Sequence, residues 1–85
     1  MAAYKLLFKE SVQKDFHGIP KKDLRKILSR IKILAGDPRP PGCEKLTGQD
    51  RYRMRQGRYR VLYSVEDEER TVTIVKVGHR KDIYR

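Results

Sequence analysis

Apolar and polar residues alternate at two different periods along this chain, and the change of period divides it into elements. Near the N-terminus Tyr4, Leu6 and Phe8 fall at every second position, which predicts a short strand over residues 4–8 with its apolar side inward. The period then lengthens. Ser11 stands where it can cap a short helix running to about His17, and Gly18-Ile19-Pro20 stops it. Pro20 suits the first turn of a second helix. In that helix Leu24, Ile27, Leu28, Ile31 and Leu34 recur at helical spacing, leaving Lys22, Arg25, Lys26, Ser29 and Lys32 mostly outside. Ala35-Gly36-Asp37-Pro38 ends it and opens a proline-rich loop through Gly42.

From residue 51 the period returns to two. Strands are predicted over 51–56, 59–66 and 71–78, separated by a Gly57-Arg58 turn and by the acidic turn Glu66-Asp67-Glu68-Glu69. Tyr52 and Met54 alternate with Arg53 and Arg55, while Tyr59, Val61, Tyr63 and Val65 alternate with Arg60, Leu62 and Ser64. One face therefore packs on the helices, and the other presents Arg53, Arg55 and Arg60 to solvent. The order βααβββ predicts an α+β fold, an antiparallel sheet packed against a two-helix hairpin. No linker or repeat interrupts it, and 85 residues suffice for one modest core, so residues 1–85 are expected to form one domain.

Charge adds a partner to this picture. A formal net charge of +10, from 21 Lys and Arg against 11 Asp and Glu, points to a polyanion: a nucleic acid, or an acidic protein that neutralises the face. Much of the charge is arginine gathered in the C-terminal half, the better bidentate phosphate ligand. Cys43 is the only cysteine, which excludes an internal disulfide framework and a thiolate zinc cluster, and a reduced cytoplasmic setting is expected. The N-terminal apolar run is too short for a signal peptide and no segment approaches the length of a membrane span, so no membrane partner is expected.

Metal-free RNA cleavage requires an aligned 2′-hydroxyl, a base for its proton, charge to meet the phosphorane, and an acid for the leaving 5′-oxygen. No cluster of carboxylates or histidines suggests a catalytic metal, and neither metal nor other cofactor is expected. Arginine keeps its proton, so Arg53, Arg55, Arg60 and Arg80 are candidates for clamping and charge stabilisation, leaving His79 and Tyr84 to move protons. Tyr52, Tyr59 and Tyr63 could stack on bases, but their phase makes them core residues, and His17 reads as a helix-end residue.

With these residues in place the chain resembles the RelE toxins of the RelE/ParE toxin–antitoxin superfamily. The resemblance rests on the 4–8 strand, the two helices, Glu44-Lys45-Leu46-Thr47-Gly48, Tyr59-Arg60-Val61-Leu62-Tyr63, and Val77-Gly78-His79-Arg80 followed closely by Tyr84. It implies a RelE-like microbial RNase fold and a ribosome-dependent endoribonuclease that cuts mRNA in the A site, leaving a 2′,3′-cyclic phosphate and a 5′-hydroxyl. The family's basic pair falls on Arg53 and Arg55, its further arginines on Arg60 and Arg80, and its C-terminal tyrosine on Tyr84. Arg60, Arg80, Tyr84 and His79 become the candidate catalytic set, and Arg53, Arg55, Lys45 and Lys81 the candidate RNA or ribosome contacts. Some members carry lysine at these two positions, where an amine can shuttle a proton, and Arg53 and Arg55 offer no such amine. The implied partners are a cognate antitoxin, the ribosome with its mRNA and rRNA, and operator DNA only through the antitoxin complex. Two other readings share the features: a ParE-like toxin that inhibits gyrase, and a basic RNA- or DNA-binding module without turnover.

Overall fold

The alternating apolar side of the C-terminal meander has to be covered, and two amphipathic helices cover it. In the computed structural model, which describes residues 3–46 and 50–83, the elements run β1 (Lys5–Phe8), α1 (Glu10–His17), α2 (Lys21–Ile33), β2 (Glu44–Lys45), β3 (Arg51–Gln56), β4 (Tyr59–Glu66), β5 (Thr71–His79) and α3 (Arg80–Ile83). They form one five-stranded sheet in the order β1-β5-β4-β3-β2. Val12 from α1 and Ile27 and Ile31 from α2 are buried against Tyr52, Met54, Val61, Tyr63, Val72, Ile74 and Val77 of the meander. Each fully buried aliphatic side chain of this kind contributes ~1.5–3 kcal/mol relative to exposure.

The α+β architecture and the three C-terminal strands agree with the hydrophobic pattern. The sheet, however, is mixed: β2 to β5 are antiparallel, while β1 lies parallel to β5, with Lys5 opposite Thr71 and Phe8 opposite Ile74. A strand that leaves the sheet through a helical hairpin and returns only at β2 can join the far edge in either sense. Its direction is settled by tertiary contacts that no local pattern contains. Ser11 does not cap α1. The helix starts at Glu10 with Lys9 as its N-cap and no side-chain cap, because Lys9 still donates its N–H to the Ile74 carbonyl at 3.1 Å as the chain leaves β1. Leu28, at the edge of the α2 apolar stripe, is 37% exposed, and Phe8 is turned toward Phe16, ring centroids 6.2 Å apart.

The proline-rich loop is pinned to the sheet, and this places β2. Tyr63, fully buried, donates its hydroxyl to the Pro38 carbonyl at 2.8 Å and stacks on Tyr52 at 5.7 Å between centroids. Arg39 forks onto Asp67 at 2.8 and 3.0 Å and donates its Nε–H to the Tyr52 hydroxyl at 2.9 Å. Tyr4 donates to the same Asp67 carboxylate at 2.8 Å. Among the described residues, no helix is long and apolar enough to cross a membrane.

Candidate nucleic-acid interface

Cross-strand register decides which of the charged side chains share a face. Arg51 pairs with Ser64, Arg53 with Leu62 and Arg55 with Arg60 across β3 and β4, and Arg60 pairs with Gly78 across β4 and β5. Residues directly opposite in an antiparallel pair point to the same side. Arg51, Arg53, Arg55 and Arg60 therefore stand together on the sheet face opposite the helices. Arg55 and Arg60 are like charges directly opposite one another, an arrangement that costs stability in a sheet. Among the described residues the buried Arg60 Nε has no hydrogen-bond partner, and its Nη1 donates to the Tyr59 carbonyl at 3.2 Å.

Gly78 bears on the same spot. A Cβ built there would meet none of the described residues within 4 Å, so their packing does not demand glycine. Its missing side chain leaves the face beside Arg60 clear. Arg80, two residues on, opens α3, is exposed, and donates its N–H to the Arg58 carbonyl at 2.9 Å.

His79 does not join this row. The β4–β5 register shifts between Leu62 and Tyr63, which pair with Lys76 and Ile74 respectively, so β5 carries Val75 as an extra residue. Val72 and Ile74 point inward before the bulge, and Val77 and His79 share the inner phase after it. The Val77 N–H donates to the Asp15 carboxylate of α1 at 3.1 Å. Uninterrupted alternation would have placed His79 with the arginines. Instead its ring meets Tyr59 edge to face at 5.8 Å, and its Nδ1 accepts the Lys81 N–H at 3.2 Å. A neutral imidazole bonded in this way carries its proton on Nε2. The ring lines a cleft of about 380 Å³ with Asp23, Lys26, Gln56, Gly57, Arg58 and Tyr59, at the helix side of the β3–β4 turn. Tyr59 donates to Asp23 across 3.4 Å, and burial followed by the Asp23 charge pushes its phenol up.

The other candidates divide in the same way. Lys45 pairs with Tyr52 and so has the phase opposite to Arg53, exposed at the sheet edge. Lys81 is exposed on α3. Tyr84 lies outside the described residues. Sequence reasoning assigned no role to Glu44, which pairs with Arg53 and is bonded to it through Oε2 and Nη2, while its Oε1 lies 3.7 Å from the Arg55 Nη2. The Arg53 hydrogen bond and charge, with Arg55 and Arg60 adding to them, hold its carboxyl below the usual carboxylate range. Its strand is two residues long and carries no periodic signal, so tertiary structure alone brings Glu44 here.

Fold and charge together define a small α+β fold whose sheet, among the described residues, presents a row of arginines on the face opposite the helices. The family model described as the ParE toxin of type II toxin–antitoxin systems matches residues 6–84. Toxin RelG of Mycobacterium tuberculosis is 35% identical over 96% of this chain and 97% of its own length. Among solved structures, the toxin–antitoxin complex RelBE2 of Mycobacterium tuberculosis holds a chain that superposes with a TM-score of 0.83 at 29% identity, covering 96% of this chain and 97% of that one. The archaeal RelE-RelB complex of Pyrococcus horikoshii holds one at 0.80 and 32% identity, covering 96% and 99%. The chain belongs to the ParE toxin family of type II toxin–antitoxin systems and is a toxin of the RelE type.

Proposed function

We propose that this toxin is a ribosome-dependent endoribonuclease that cleaves mRNA in the A site without a metal ion, giving 2′,3′-cyclic phosphate and 5′-hydroxyl ends. The observation that carries the reading is the arginine row of the open face, where Arg55 and Arg60 stand opposite each other at a cost to stability. Glu44 is one carboxylate beside four arginines, and an anionic ligand between Arg55 and Arg60 would lower that cost further. In this reading Arg60 and Arg80 meet charge developing on the phosphorane, and Arg53 and Arg55 hold the flanking backbone. Lys45 and Lys81 contact RNA or ribosome at the margins. Proton transfer falls to Tyr84 in preference to His79, whose register sets it on the other side of the sheet. The site needs no cofactor.

A cognate antitoxin is the natural counterpart, as the RelE-RelB and RelBE2 complexes of the relatives suggest. An acidic or apolar segment of it would cover the arginine face, and operator DNA would be met through that complex, in the cytoplasm. The described part of the arginine face is a strand surface, and in this reading the ribosome supplies the alignment of a flexible RNA for attack. Primer extension on one message, with and without programmed ribosomes, tests this. Cleavage is expected only with ribosomes. Equal cleavage of naked RNA would overturn the ribosome dependence, and inhibition of gyrase supercoiling without RNA cleavage would favour the reading carried by the family's ParE name.

A further inference from the structure

β2 delivers a carboxylate into the cationic row. Glu44 is no loosely held surface acid: the Cys43 N–H donates to the Pro40 carbonyl at 3.1 Å, the Leu46 N–H donates to the Arg51 carbonyl at 2.8 Å, and Glu44 itself is in register with Arg53. The Arg53 side chain is 17% exposed, while those of Glu44 and Arg55 are 51% and 59% exposed. The pair is thus formed against the sheet and still open to an incoming ligand.

We propose that Glu44 is a specificity-determining residue: in the free toxin its carboxylate fills the guanidinium cradle of Arg53 and Arg55, and an RNA phosphate has to displace it to be held. The inference rests on the reading of the open face as an RNA surface. Carboxylate and phosphodiester offer similar anionic oxygens to a guanidinium, so they compete for the same donors. Displacement needs only side-chain rotation, since the backbone bonds on either side of Glu44 do not involve its carboxylate. A stray phosphodiester therefore meets a cradle already neutralised. A substrate anchored by further contacts supplies the effective concentration to push the carboxylate aside. Glu44 thereby sets free RNA apart from RNA presented on a larger assembly.

The test uses the full-length toxin and a short, fully 2′-O-methylated single-stranded RNA, which cannot be cut, with dissociation constants measured by fluorescence anisotropy across a salt series. Glu44→Gln is expected to tighten binding by ~3–10-fold at low salt and to steepen the salt dependence by about one counterion, because cations freed from Glu44 engage phosphate. Glu44→Ala should show the same gain if the glutamine variant fails to fold. The gain should vanish when Glu44→Gln is combined with Arg53→Gln. Unchanged or weaker binding by both folded Glu44 variants, with Arg53→Gln and Arg55→Gln each weakening the wild type, would overturn the role of Glu44 alone. Arginine variants that bind as wild type would instead overturn the RNA reading of the face.

Discussion

Arg60→Met separates what the arginine row does for function from what it does for the fold. The substitution keeps most of the stem and removes the guanidinium. Two unit charges ~5–8 Å apart in water-like surroundings repel by ~0.5–0.8 kcal/mol, and Arg55 directly opposite supplies such a charge. Removing the buried Nε, which has no partner among the described residues, relieves a further cost in the range of ~1–3 kcal/mol. Against these stand the lost bond to the Tyr59 carbonyl, worth ~1 kcal/mol, imperfect packing of the thioether, and the loss of attraction to Glu44. The net is a gain of ~0–2 kcal/mol, or a rise in Tm of up to ~10 °C for a chain of this size. Cleavage should nonetheless fall by ~10²–10³ if Arg60 stabilises the phosphorane. Urea melts followed by circular dichroism and single-turnover cleavage on programmed ribosomes give both numbers. A variant that loses more than ~1 kcal/mol of stability would show that Arg60 serves the fold, and the argument from like-charge strain would fall with it.

Gly78→Val should fold with unchanged or slightly higher stability, since its Cβ meets open space, yet lower cleavage by ~10-fold or more by crowding Arg60; wild-type cleavage would mean that substrate does not approach there. Tyr63→Phe should destabilise by ~1–2 kcal/mol in urea denaturation, because it leaves the Pro38 carbonyl unpaired in the core; an unchanged midpoint would mean that the loop is held elsewhere. The Asp67 carboxyl is held below the usual carboxylate range by Arg39 and then by the Tyr4 hydroxyl, and Glu44 is held below it by Arg53. A group depressed in the folded state stabilises above its unfolded pKa, so Tm should hold from neutrality to about pH 4.5 and drop as pH falls through the lowered values. Asp67→Asn should flatten that drop; an identical slope would remove the Arg39–Asp67 pair as its source. Tyr84→Phe should cost ~10²–10⁴ in single-turnover rate and His79→Ala much less, whereas the reverse order would return the proton to the imidazole.

Strands and helices were readable from sequence because burial of one side writes a period into the chain. Tyr52, Met54, Val61 and Tyr63 carried it for the sheet, and Ile27 and Ile31 for α2. The arginine row followed from the same alternation. Three features did not. One extra residue at Val75 reverses the phase of everything after it, so that His79, grouped with the arginines in the candidate catalytic set, stands across the sheet from them. The parallel sense of β1 depends on a partner more than sixty residues away, Thr71 for Lys5. The place of Glu44 depends on a two-residue strand whose register is fixed by a loop pinned through Tyr63, Arg39 and Asp67.

The parallel pairing of β1 with β5 also governs when this molecule can come into being during its own synthesis. The first strand made has to wait for the last before it gains a neighbour, and β5 itself holds Gly78, the residue beside Arg60. Closing so long a loop is entropically costly and is repaid only when the final strand arrives. A chain that stops short of β5 can still pair β2, β3 and β4, but it leaves β1 without a neighbour and Arg60 without Gly78 across from it. Completion of the five-stranded sheet is therefore a late event, set by the arrival of β5.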